Sequence, residues 1–337
     1  MWQETPEGAM KRPLCITTFV FGHYEEYIPL FVYSILRAYP EYYPLVFTQG
    51  PLGESVRQRL DLLCDLGRFR VQENYLGALR WRSYKGSAVR WLLWDGEFAD
   101  CEAVYAGDVD MLVMPETPKL HEQHNIHCEV LGLPYSNIRR PPWVTHVRKD
   151  PVGIARRLTR FGPKDTFRAL EQSEIRLERL SGLHYVRTDE YYRAVLPKML
   201  EFMGLLGAGR GATVLPADKY LNGFSDEAFL FDLIRESGLD LPPQADYGPH
   251  LLEYRNYRSV GFRPHHGIHL AIFRTANLSP AYRATLLLDC YREYLTHYMQ
   301  EMKQEPLFQA LLRSSPMWLQ AIFSRIESSR EVAAALK

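Results

Sequence analysis

Residues 103–114 read Ala-Val-Tyr-Ala-Gly-Asp-Val-Asp-Met-Leu-Val-Met. Apolar residues flank a pair of carboxylates, and the small Ala106 and Gly107 stand just before them, where a ligand has to come close. The spacing predicts a buried strand that delivers Asp108 and Asp110 at its carboxyl end. Buried carboxylates without a partner are costly, and two of them one residue apart can reach the same divalent cation through oxygen ligands. A bare Asp-X-Asp is a common pattern, so its surroundings decide its meaning.

Upstream, Cys-Ile-Thr-Thr-Phe-Val-Phe (15–21) is a β-branched and aromatic run closed by Gly22, which predicts a buried first strand. A helix follows over 27–39, with Ile28, Phe31, Val32, Ile35 and Leu36 on one face and Pro40 ending it. The alternation repeats with a strand at 44–50, a helix at 54–66, a strand at 69–75 and a helix at 83–93. Strands alternating with helices predict an α/β fold with a mainly parallel central sheet flanked by helices, in which ligands sit beyond the carboxyl ends of strands.

Downstream, the prolines and basic residues of 134–167 predict a long irregular excursion. A strand at 183–186 and a helix from 189 to about 203 resume the order, and the glycine-rich 204–211 reads as a loop. From 282 onward two amphipathic helical patterns run to the end, divided by Pro306 and Pro316. They read as packing on the main domain, with a peripheral membrane or partner contact as the alternative.

Composition narrows the class. The 337 residues are 46% hydrophobic and 24% charged, enough for a sizeable globular core. Forty basic and forty acidic residues cancel, which removes the electrostatic footprint of a nucleic-acid binder. The N-terminal apolar run is too short to be a clear signal or a membrane span, so a cytoplasmic protein, or one peripheral to the inner face of the membrane, is expected. Five scattered cysteines without a CxxC pair predict free thiols.

The segments Tyr-Ala-Gly-Asp-Val-Asp-Met-Leu-Val (105–113), Ser-Gly-Leu-His-Tyr-Val-Arg-Thr-Asp-Glu-Tyr-Tyr (181–192), Gly-Phe-Ser-Asp-Glu-Ala-Phe (223–229) and His-His-Gly-Ile-His-Leu-Ala-Ile-Phe-Arg (265–274) occur in that order. Together they resemble the motif series of GT-A glycosyltransferases, in particular the group of glycogenin and the lipopolysaccharide galactosyltransferases. The resemblance covers roughly 14–275, leaving 276–337 as a C-terminal helical extension. It implies a Rossmann-like GT-A domain that transfers a monosaccharide from a nucleotide-diphosphate sugar, with UDP favoured, to a glycan or glycolipid acceptor in polysaccharide biosynthesis. Retention of anomeric configuration is implied as well.

By the same resemblance, Asp108 and Asp110 hold Mn²⁺ or Mg²⁺ and a C-terminal histidine, His266 or His269, is the third ligand. Thr17, Thr18 and Tyr24 stand where the donor nucleotide binds, with Val109, Ser181 and Gly182 beside the sugar. Among Arg82, Lys85 and Arg90, one basic residue meets the donor phosphates. Asp226 and Glu227 are the candidate catalytic carboxylates; Ser225 as a helix cap with two acids in the first turn would need no catalytic role, and the two readings are compatible. Three alternatives compete: a nucleotidyltransferase that pairs Gly86-Ser87 with the aspartates, a phosphatase with Asp108 as nucleophile, and an inactive carbohydrate-binding module.

Overall fold

The computed structural model describes residues 11–77, 87–145, 175–208, 226–243, 266–275, 278 and 280–336, with scattered positions between 151 and 167. Strand β1 (Cys15–Val20) is buried at every position, as β-branched and aromatic side chains between two packed layers should be. A 3-10 turn (Gly22–Tyr27) leads into α1 (Ile28–Ala38), which has Pro29 in its first turn, where no N–H is needed, and buries nine of its eleven residues. Then come β2 (Tyr43–Thr48), α2 (Glu54–Asp61), β3 (Arg70–Gln72) and a 3-10 turn at Ser87–Leu92.

Strand β4 (Ala103–Ala106) lies parallel to β1 on the side away from β2. The chain turns through 107–110 and β5 (Met111–Val113) leaves the sheet. Helix α3 (Leu120–Leu131) is followed by β6 (Tyr135–Ser136), β7 (Arg139–Thr145), β8 (Ile175–Leu180), β9 (His184–Arg187) and α4 (Thr188–Gly207). Helix α5 (Asp226–Glu236) and β10 (Gly267–His269) come next. The remaining helices are α6 (Pro280–Leu286), α7 (Asp289–Gln300), α8 (Pro306–Arg313), α9 (Met317–Ser328) and α10 (Arg330–Ala335).

The central sheet has the order β3-β2-β1-β4-β9-β6, parallel from β3 to β4, with β9 running against both β4 and β6. Its two faces are apolar. Ile16, Val46, Tyr105 and Tyr185 pack under α1 and the C-terminal helices, while Cys15, Leu45, Val104 and Val186 pack toward Trp91, α4 and α5. This is the mainly parallel, helix-flanked α/β architecture that the sequence predicts.

Several local expectations need correction. The strand read across 103–114 is two strands in different sheets: the ladder with β1 ends where Gly107 N–H meets Thr17 O at 3.1 Å, and Val109 is buried in the turn that follows. Ser87–Leu92 winds as 3-10 rather than α-helix. The supposed irregular stretch holds β6 and β7, and β7 pairs with β8. Gly204–Gly207 continue α4, whose packed face outweighs glycine's poor propensity. The C-terminal pattern is five short helices rather than two. No described helix is long and apolar enough to cross a membrane.

A buried polar chain ties these layers together. Tyr294 Oη of α7 donates to Glu116, whose Oε2 accepts from His266 Nδ1 (2.8 Å) and Gln123 Nε2 (2.7 Å). His266 Nε2 meets His124 Nε2 at 2.8 Å, and Ser136 Oγ lies 2.7 Å from both His124 Nδ1 and His127 Nδ1. With all the rings neutral, one direction satisfies these atoms. His127 donates to Ser136, Ser136 to neutral His124, His124 to His266, and His266 to the carboxylate.

Burial drives His127 down to about 4 and His184 down to about 3, and it lowers His124 strongly. The unfolded chain takes up these protons near pH 6.5 while the folded core refuses them. Stability is therefore full above about pH 6.5 and falls as the pH drops toward 4, by ~1.4 kcal/mol per pH unit for each such histidine. Denaturant unfolding should show this slope, with His127→Gln removing about one histidine's share; an unaltered slope would mean that the ring is already charged in the fold.

Gly267 gives a second expectation. A Cβ there would lie 1.8 Å from Leu112 O and 2.9 Å from Val113 Cα, both backbone. Gly267→Ala should force β10 off β5 and lower stability by about 1–3 kcal/mol or more, which a thermal melt would detect and a wild-type melting temperature would refute.

Candidate metal and ligand site

Because β1 and β4 run parallel, their carboxyl ends open on the same side of the sheet, and the turn carrying Asp108 and Asp110 sits there. The third member arrives from far along the chain. Strand β10 runs antiparallel to β5, with Gly267 opposite Val113 and His269 opposite Met111. Leu270 N bonds to Asp110 O (2.8 Å) and Met114 N to His266 O (3.0 Å), closing the ladder at both ends. Asp108, Asp110 and His269 each present a ligand atom, and those atoms lie within 4.8 Å of one another. Two carboxylates and an imidazole are a donor set suited to a divalent cation.

The two histidines named from sequence part ways here. His269 Nε2 is 3.2 Å from Asp110 Oδ1, and its backbone N–H is held by Tyr291 Oη at 3.0 Å. His266 lies on the far side of the β5–β10 ladder with its ring nitrogens engaged by Glu116 and His124, so it is outside the metal-binding group.

Both aspartates carry arginine partners. Arg90, almost wholly buried and stacked 4.3 Å over Trp91, bridges Asp108 Oδ1 and Asp226 Oδ2. Arg274 places Nη2 2.8 Å from Asp110 Oδ2, Nη1 2.9 Å from Tyr24 Oη and Nε 3.3 Å from Tyr27 Oη. Burial pushes the Asp110 carboxyl up, but His269 and Arg274 outweigh it and hold it below the usual range. His269 is raised: burial works against its charge and the Asp110 carboxylate overrides that.

Asp226 and Glu227 open α5. Burial, then repulsion from Asp108, raises Asp226 despite Arg90, and Trp91 Nε1 fixes its carbonyl at 2.9 Å. Glu227 is raised by burial although Arg140 (2.7 Å) and Arg179 (3.5 Å) face it. Thr18, Phe19, Phe21, Tyr24, Ser87, Arg90, Asp108, Val109 and Asp110 line one cleft. Gly182 borders Arg90 and Glu227, where a Cβ would come within 3.3 Å of Arg90 Nη2.

The remaining sequence candidates divide. Thr17 turns away and donates from Oγ1 to Leu45 O at 2.8 Å, a bond within the sheet. Ser181 is buried, its N–H held by Asn137 Oδ1 and Ile138 O, both at 2.9 Å. Lys85, Arg82, Gly86 and Ser225 lie outside the described residues. Sequence reading missed Arg274, Arg140, Arg179 and Asn137. Arg274 ends the quoted segment 265–274, so only its place in that segment pointed to it; the other three are placed by the β7–β8 pairing and its entry.

The buried Glu116 holds His266, three residues before His269, against the end of β5. Glu116→Gln should loosen this hold and lower stability by about 1–3 kcal/mol, the cost of leaving a buried polar partner poorly satisfied. A thermal melt would show it, and a wild-type melting temperature would mean that the ladder does not depend on Glu116.

No family model matches the sequence, and no curated protein matches it. Among solved structures the chain is similar to the galactosyltransferase LgtC with donor and acceptor sugar analogues, at 14% identity and a TM-score of 0.36, over 65% of this chain and 70% of that one. It is also similar to the glycosyltransferase GlyE of Streptococcus pneumoniae TIGR4, at 11% identity and a TM-score of 0.38, over 96% of this chain and 64% of that one. A third likeness is to core-mannan synthase A of Aspergillus fumigatus in its Mn/GDP form, at 10% identity and a TM-score of 0.35, over 68% and 71%.

Proposed function

We propose that the chain is a metal-dependent GT-A glycosyltransferase that transfers a monosaccharide from a nucleotide-diphosphate sugar, with UDP favoured, to a glycan or glycolipid acceptor. One observation carries the reading: Asp108, Asp110 and His269 converge at the carboxyl end of β4, on the rim of a cleft that also holds Arg90 and Tyr24. The imidazole in the set favours Mn²⁺ over Mg²⁺, which prefers an all-oxygen shell. When bound there, the ion neutralises the diphosphate leaving group.

The protein's own groups take the remaining roles. Tyr24 offers a ring face to the nucleobase, and Thr18 with Val109 shapes the floor. Arg90 brings a fixed guanidinium to the phosphates while keeping Asp226 in place. Gly182 leaves room for the sugar beside Asp226 and Glu227. These two carboxyls, raised by burial, can orient donor hydroxyls or exchange a proton with the acceptor. Residues 14–275 form the catalytic domain on this reading and 276–337 an extension that packs on it, in a protein of the cytoplasm or its membrane face.

Thermal melts with UDP, GDP, CMP and dTDP, each with and without Mn²⁺, test this. A nucleotide at about a hundred times its Kd should add ~2.7 kcal/mol, only when Mn²⁺ is present, and Asp110→Asn should abolish the gain. Stabilisation that ignores the metal, or survives the substitution, would overturn the reading. Ser87 on the cleft wall keeps a nucleotidyltransferase in view; release of pyrophosphate from a nucleoside triphosphate and a sugar phosphate would favour it.

A further inference from the structure

A second cleft, about 450 Å³, opens on the other side of Arg274, lined by His23, Tyr27, Arg274, Trp318, Ile322 and Arg325. Its outer wall is one face of α9, since Trp318, Ile322 and Arg325 are spaced four and three apart. Its inner wall is Arg274, whose guanidinium also touches Asp110. The cleft therefore lies one side chain from the metal-binding group.

Three features of its lining point to a ligand. Leu319, Ile322, Phe323 and Ile326 bury the core-facing stripe of α9, whereas Trp318 stays 40% exposed and leans edge-on to Tyr27 (5.3 Å) and His23 (5.9 Å). An indole on a cleft wall presents an apolar plane and an N–H, a surface suited to the C–H face and hydroxyls of a pyranose. Among the described residues Arg325 bonds only through Nη1, to Phe273 O (3.2 Å) and Arg274 O (2.6 Å), and no carboxylate pairs with it. Arg274 is balanced by Asp110, so the cleft keeps the net positive charge of Arg325. A guanidinium pinned at one end with its other nitrogens open to a cleft is a ready partner for a carboxylate or phosphate.

We propose that this cleft binds an anionic saccharide, with the ring against Trp318 and the acidic group on Arg325. It adjoins Tyr24 through Arg274, whereas the sugar of the proposed donor lies beside Asp226 and Glu227, so the saccharide it takes is not the reacting one and its binding is measurable whether or not the glycosyltransferase reading holds. Trp318 sits on the surface, so its replacement spares the core.

Saturation-transfer NMR on the full chain, with methyl β-D-glucuronide, glucose 6-phosphate and methyl β-D-glucoside as probes, tests it. The charged sugars should bind about tenfold or more tightly than the neutral glucoside, equivalent to one good ion pair. Trp318→Ala should abolish the signal, Trp318→Phe should keep most of it, and Arg325→Gln should level the three probes. Whichever charged sugar binds tighter identifies the anion as carboxylate or phosphate, and either supports the proposal. Equal binding of the neutral glucoside to the unsubstituted protein, or affinities untouched by Trp318→Ala and Arg325→Gln, would overturn it. Failure of the glycosyltransferase reading would appear elsewhere, as absence of metal-dependent nucleotide stabilisation in the unsubstituted protein.

Discussion

The antiparallel pairing of β5 with β10 is the constraint on which the rest of the site depends. Six residues make it, at Met111–Val113 and Gly267–His269, and it has no slack, because the position opposite Val113 has no room for a Cβ. Shifting the register by one residue would turn His269 to the other face and leave two carboxylates without their third neighbour. The buried chain from Tyr294 through Glu116 to His266 clamps this ladder from behind, so α7 and α3 hold a site that neither of them enters.

Charge is arranged around the ladder in opposed pairs. Asp108 and Asp226 share Arg90, Asp110 faces Arg274 and His269, and Glu227 faces Arg140 and Arg179. Buried carboxylates at this density would repel and take up protons if the guanidiniums were absent. A divalent cation has to compete with Arg274 and Arg90 for the same oxygens. In the proposed role that competition has a use, since a guanidinium released from an aspartate becomes a donor for the diphosphate that accompanies the cation.

Much of this was legible in the sequence, for identifiable reasons. Apolar runs such as 15–20 and 43–48 are buried on both faces and have one reading, so the parallel sheet followed from them. Asp108 and Asp110 stood out because carboxylates are conspicuous among apolar neighbours. The split of 103–114 into two strands was hidden, because a turn that buries Val109 keeps the apolar pattern of a continuous strand. His266 and His269 could not be separated by spacing alone; what separates them is alternation across a three-residue strand whose partner is known only from the fold. Asn137, beside Ser181 through a contact 44 positions apart, and Arg140, 87 positions from Glu227, belong to pairings that no local pattern encodes.

Asp110 and Arg274 are 164 positions apart in the chain, and that distance has a consequence for the order of assembly. β1, β2 and β4 are complete by residue 106, so the sheet can form with Asp108 already beside Arg90 while Asp110 still lacks His269 and Arg274. Closing a loop of that length is a slow, entropically costly step. A growing chain therefore keeps Asp110 without its partners until residues 269 and 274 have emerged and docked. The site is thus a reporter of its own completion: a truncated or misfolded chain can own the aspartates and still lack His269, the third member of the group.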